Sequence, residues 1–200
     1  MFALCGEFPH NAFPCLGLHP TEFEDNWREE LEMMDGFVDR KIVAIGETGI
    51  DLHWRSDNLD AQIEVFRHQI ELALKLNLPI IIHNREATGH IFRVLDDFHA
   101  YSGSMETFRI MERYGDWFVG IGGVVTFKNA SIAEIVKGIP LERIVLETDS
   151  PYLTPSPYRG TRNESAYIPI IAEKLAELKG IPIEEISSVT TGNAEKLFGL

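Results

Sequence analysis

Two hundred residues with 44% hydrophobic content suffice for one globular domain with a full core. No apolar run reaches the length of a membrane span, and MFALCGEFPHNAF lacks the basic-then-apolar layout of a secretory signal. A net charge of −13 argues against a broad basic surface that grips nucleic acid by counterion release, though a small cationic pocket remains compatible with it.

The only two cysteines, Cys5 and Cys15, lie outside any C-x-x-C spacing. Reduced bystander thiols in a cytoplasmic protein are expected, with a disulfide between them as the alternative. Neither a membrane contact nor an obligate protein partner is expected.

Strand and helix signals then alternate along the chain. AFPCLGLHP (12–20) is the first expected strand, and an acidic stretch with Trp27, Leu31, Met33 and Met34 the first expected helix. KIVAIGE runs apolar into Glu47 as the second strand. Ile63, Phe66, Ile70, Ala73 and Leu74 recur at helical spacing over 58–76, capped by Asp57 or Asn58 and stopped at Asn77–Pro79. LPIIIH runs apolar into His83 as the third strand, and EATGHIFRVLDDF reads as the next helix.

Around FHAYSGS no apolar strand precedes His99. A helix is expected over 104–114, and DWFVGIGGVVTF gives another strand. Ser131 and Glu134 have the spacing of a capping box for a short helix ending at Gly138. RIVLETD is the last strand, ending on Asp149. A Pro-rich loop and two helices close the chain. This alternation implies parallel strands joined by crossover helices, an α/β sheet or barrel whose strands are buried on both faces.

Apolar strands that end on Glu47, His83 and Asp149, together with His99, point to a metal-centred site, because chemistry collects at strand C-termini in such folds. Imidazole and carboxylate suit Zn, Mn, Fe, Ni or Mg. Asp149 is also placed to take a proton from water. Arg85 stands two residues past His83, on the same side of an extended segment, and there it either holds a phosphate or pairs with Glu86 or another of the many carboxylates. Arg159 and Arg162, in the loop after Asp149, are either substrate contacts or solvated. His19 closes the first strand and faces substrate. His10, His53, His68 and His90 read as surface or helix residues. Gly122–Gly123 permit close backbone approach, but no nucleotide fingerprint and no nucleophile elbow is present.

Taken in order, GLHP, IGETGIDLHW, IIHNREA, FHAYSGS, IGGVVTFKNA, LETDSPYLTPSPYRGTRNES and NAEKLFG resemble the TatD family of metal-dependent deoxyribonucleases over essentially the whole chain. The resemblance implies a (β/α)8 TIM-type barrel, similar to the amidohydrolases, forming a single domain over 1–200. It implies one or two divalent ions (Mg, Mn or Zn) and hydrolysis of DNA, as a 3′–5′ exonuclease acting on single strands or strand ends. Glu47, His83 and His99 would then hold one ion. Asp149 would hold a second and position or deprotonate water, so that Asp149 and Glu47 are the catalytic groups. The chain departs from the pattern by lacking the opening His-x-His strand, the second βα unit and a strand between Asp97 and His99, and by carrying Ser165 where the family has Pro. Two βα units before Met1 are therefore expected. Rival readings are a hydrolase of another small phosphoester, lactone or amide on the same metal site, or a non-catalytic or inactive barrel fragment.

Overall fold

The computed structural model describes residues 1–96 and 117–200. The chain divides into two compact units, Met1–Gly103 and Ser104–Leu200.

The first unit opens with helix α1 (Phe2–Glu7), which no apolar periodicity announced. Strand β1 covers only Cys15–Leu16, much shorter than the stretch 12–20 expected to be extended. Helix α2 (Trp27–Asp35) buries Leu31 and Met34 and leaves Met33 exposed. Strand β2 (Ala44–Asp51) pairs in parallel with β1 on one side and with β3 (Ile80–Arg85) on the other. Between β2 and β3 runs helix α3 (Leu59–Leu76), ended by Asn77 in the left-handed conformation at φ 53°. Helix α4 (Thr88–Asp96) follows β3. Leu16, Phe23, Leu31, Ile45, Val65 and Leu72 belong to one buried apolar cluster, while Leu74, expected on the apolar stripe of α3, is 65% exposed.

Two features of this sheet correct the sequence reading. β2 continues past Glu47 to Asp51, and β3 past His83 to Arg85, so neither residue is a strand end. Ile80–Asn84 are half-buried rather than enclosed on both faces, and among the described residues β3 pairs with β2 alone.

The β2–β3 register shifts between Ile45 and Thr48, and Glu47 sits in that irregularity. It is the single exposed residue of β2. Such irregularities re-aim side chains. Gly46 has φ +145°, and a Cβ there would stand 2.7 Å from Cβ of Ile81, so only glycine lets the two strands approach at this point.

In the second unit, β4 (Val119–Ile121) and β5 (Ile144–Leu146) form a parallel pair in the register Val119↔Ile144. β4 is shorter than the expected strand because Gly123–Thr126 turns into a 3₁₀ helix. Helix α5 (Ile132–Gly138) has Ser131 at its N-cap without a side-chain cap bond. The Glu134 carboxylate instead pairs with Lys137 at 2.7 Å, so the capping box is not formed. The closing helices are α6 (Ile168–Lys179) and α7 (Ile183–Phe198). Asn193 of NAEKLFG is buried, and its amide donates to the carbonyls of Leu141 (2.9 Å) and Ile144 (2.7 Å), which gives this motif a role in tying α7 to β5.

Among the described residues, no helix is long and apolar enough to cross a membrane. Cys5 and Cys15 are free thiols, and burial pushes the Cys15 thiol above its ordinary pKa. The mixed α/β architecture agrees with the expected class. The expected strand before His99 and the expected helix over 104–114 lie outside the described residues.

Candidate metal centre

Three donors meet in the first unit. His19, three residues past the end of β1, has Nε2 4.0 Å from Oε1 of Glu47. His83, in β3, has Nδ1 3.0 Å from the same oxygen. One donor atom from each of the three residues lies within 4.8 Å of the others. The His19 and His83 rings meet edge to face at 4.5 Å. Two donors that share an ion at about 2.0–2.2 Å each stand up to about 4.4 Å apart, so the 3.0 and 4.0 Å spacings from Glu47 fit one divalent ion. The mixed N/O set suits a metal of intermediate hardness.

Behind these donors stands a residue that sequence reasoning missed. Asp51, the last residue of β2, is 1% exposed, and its Oδ2 lies 2.9 Å from Nε2 of His83. Its Oδ1 accepts the Trp54 backbone N–H at 2.8 Å. A carboxylate on the far nitrogen of a ligating imidazole fixes the tautomer and aims the other nitrogen. The signal was present in IGETGID, where Asp51 lies four residues beyond Glu47 in one extended run and therefore on the same face.

Helix α3 supplies the rest of the scaffold. Gln69 is buried; its Oε1 accepts the Leu18 N–H at 2.8 Å, and its amide donates to the Leu18 carbonyl at 3.1 Å and to Oγ1 of Thr48. It thereby grips the neighbours of His19 and Glu47. Gln62, seven residues earlier, accepts the Asp51 N–H at 2.8 Å and donates to the Asp51 carbonyl at 3.2 Å. Two glutamines on an otherwise apolar helix face were the available sign, because buried amides have to be paired.

Electrostatics follow from these contacts. Burial opposes charge on His83, but hydrogen bonds to Glu47 and Asp51 outweigh it and raise its pKa. The His83 hydrogen bond is the main reason that Glu47 lies below its ordinary value. Burial works against the Asp51 charge, yet backbone hydrogen bonds from Trp54 and His53 and the His83 ring hold its pKa down. Burial, followed by the nearby His83, lowers the His19 pKa, which favours the neutral ring that a metal ligand requires.

Arg85 is exposed, with its guanidinium 5.5 Å from the Trp54 ring, and among the described residues it makes no ion pair. The alternative partner Glu86 pairs with His53 at 2.8 Å. His68 meets Asp35 at 3.0 Å, consistent with its reading as a helix surface residue. His99 lies outside the described residues.

Asp149 belongs to the second unit, described on its own. β5 ends at Leu146, so Asp149 sits in the loop beyond the strand and not on its last residue, since the apolar pattern stops before LETD turns. Asp149 is exposed, and a Cβ on Gly122 would stand 3.2 Å from its Oδ2. A Cβ on Gly123 would meet the Leu153 carbonyl at 2.5 Å, which is the close approach expected of this glycine pair. Arg159 stacks on Phe127 at 3.7 Å, and Arg162 is exposed.

A parallel α/β fold that brings imidazole and carboxylate donors together suits metal-dependent hydrolysis. The TatD related DNase family model matches residues 1–199, and the chain belongs to that family. It is 44% identical over 197 residues to the uncharacterized metal-dependent hydrolase YabD of Bacillus subtilis, covering 93% of this chain and 77% of that protein. It is 34% identical to the uncharacterized metal-dependent hydrolase YcfH of Escherichia coli K12, covering 98% and 76%. Among solved structures, YjjV, a TatD homolog from Escherichia coli K12, superimposes with TM-score 0.83 at 26% identity over all of this chain and 82% of that one.

Proposed function

We propose that the protein hydrolyses phosphodiester bonds of DNA, acting as a 3′–5′ exonuclease on single strands or strand ends. The observation that carries this reading is the meeting of His19, Glu47 and His83 donors within 4.8 Å in a chain of the TatD family. In this reading His19, Glu47 and His83 hold a divalent ion, and the family resemblance adds His99 to that ion and gives Asp149 a second one. Two imidazoles beside one carboxylate favour Zn or Mn over Mg. A bound ion of this kind acidifies its water and polarises a phosphoryl oxygen.

The chain's own residues supply the rest. Asp51 holds the His83 ring and keeps the proton on Nε2, leaving Nδ1 as the ligand atom. Arg85, two residues along β3 and without an ion pair among the described residues, offers its guanidinium fork to the scissile phosphate. Asp149 accepts the proton of the attacking water, and Arg159 and Arg162 contact the nucleic acid. Glu47 both binds the ion and orients the water.

The test is release of nucleotides from a 3′-labelled single-stranded oligonucleotide in Mn²⁺ or Zn²⁺, with and without chelator. Turnover that chelation abolishes and metal restores is expected. Turnover that survives chelation would overturn the reading.

A further inference from the structure

A groove of about 490 Å³ opens in the second unit between the turn after β4 and the loop after β5. Phe127, Lys128, Asn129, Ser156 and Arg159 are among its lining residues. Lys128 and Arg159 are exposed, and neither has an ion pair among the described residues. In a chain with 31 acidic against 18 basic side chains, two cations left facing one groove call for an anion from outside. The adjoining groove carries Glu173 and Glu177, and Lys174 already pairs with Glu177 at 2.8 Å.

The groove is held in shape by its backbone. The Ser156 N–H donates to Oγ1 of Thr126 at 2.8 Å, and that hydroxyl donates to the Gly123 carbonyl at 2.7 Å, which ties the two walls together. The loop carrying Ser156 and Arg159 is pinned by buried Asn163, whose amide donates to the Tyr152 carbonyl at 2.6 Å, and by buried Thr154, which donates to the Thr161 carbonyl. Arg159 lies with its guanidinium carbon 3.7 Å from the Phe127 ring centroid. Stacking occupies the face of the guanidinium and leaves its N–H edge free for bidentate bonding.

We propose that this groove is a phosphate-binding site. Arg159 grips two oxygens, Lys128 adds a point charge, and the side chains of Asn129 and Ser156 donate neutral hydrogen bonds. The ligand is a phosphate group, either free or as one link of a nucleic-acid backbone. The site rests on the proposed function in that Arg159 there contacts the nucleic acid, but it shares no residue with the donor cluster of the first unit, so it can be tested without metal.

Calorimetric titration of the chelated, metal-free protein tests it, with inorganic phosphate, the dinucleotide TpT and thymidine as probes. Binding of inorganic phosphate or TpT, but not thymidine, is expected. TpT alone would identify a backbone diester as the ligand, and phosphate alone the free ion. Lys128→Ala and Arg159→Ala should each weaken binding about tenfold, and Arg159→Lys less so, since a hydrogen bond to a charged group supports a change of that order. Phosphate binding should be unchanged in His83→Ala, which separates this site from the metal centre. Equal binding by parent and a folded Lys128→Ala/Arg159→Ala protein, or thymidine bound as well as TpT, would overturn the proposal.

Discussion

Oδ2 of Asp51 stands 2.9 Å from Nε2 of His83, so a fully buried carboxylate backs the ring whose other nitrogen faces Glu47. The Asp51–His83 contact links the end of β2 to the middle of β3 across paired strands, with Gly49 opposite His83 in register.

Asp51→Asn should keep the shape of the site and the bond from the Trp54 N–H while removing the charge behind His83. Loss of such a partner costs about 10–100-fold in metal affinity. Competition against a coloured chelator measures it. Affinity equal to the parent's would show that His83 is held by packing alone.

His19→Ala and His83→Ala should each lower the metal content of the purified protein, because each removes one of three donors clustered within 4.8 Å. Elemental analysis after dialysis against Zn²⁺ gives the answer. Full metal content in His19→Ala would return His19 to a substrate contact.

Metal binding should strengthen with rising pH. The His83 pKa is raised in the metal-free fold, so its contribution to stability is complete below the ordinary value of 6.5 and is lost as pH climbs through the raised value. Glu47 and Asp51 have lowered pKa values, so their contributions are complete above 4.5 and 3.8 and are lost as pH falls through the lowered ones. His83, Glu47 and Asp51 therefore stabilise the metal-free protein most between 4.5 and 6.5, where His19, with its lowered pKa, works against them. A divalent ion has to displace the His83 proton, so the rise in Tm on adding Zn²⁺ should grow as pH is raised from that window to above the His83 pKa. A metal-induced shift independent of pH would contradict the assignment.

Gln69→Leu should destabilise the protein by about 1–3 kcal/mol, because both backbone groups of Leu18 lose their partner. It should also weaken metal binding, since Leu18 precedes His19 and Thr48 follows Glu47. Urea unfolding with and without Zn²⁺ separates the two effects. A purely structural glutamine would lower stability and leave metal affinity untouched.

Asp149→Asn should reduce kcat on a single-stranded oligonucleotide by about 10²–10⁴-fold, the usual loss on removing a general base, while DNA affinity stays near the parent's. Arg85→Ala should raise KM at least as much as it lowers kcat, because a phosphate clamp acts on bound substrate as well as on the transition state. An Asp149→Asn enzyme as fast as its parent would remove Asp149 from the chemistry.

The sequence by itself determined the family, most of the elements, and two of the three side chains that meet in the donor cluster. Glu47 and His83 were legible because short apolar runs leading into a polar residue are a local pattern. The bounds of α3 were legible too, from its helical spacing and from Asn77 as its stop. The family was carried by seven ordered motifs. Only the tertiary structure decided that His19 stands beside Glu47 and His83, that Asp51 stands behind His83, and that Gln62 and Gln69 hold the segments carrying them. Leu18 and Gln69 are 51 residues apart, and no local periodicity reports which backbone groups face each other across a crossover. Strand ends were misjudged for a related reason. Hydrophobicity tells how far burial extends, whereas a strand ends where backbone pairing ends, and β2 and β3 keep pairing to Asp51 and Arg85 after the apolar pattern has stopped.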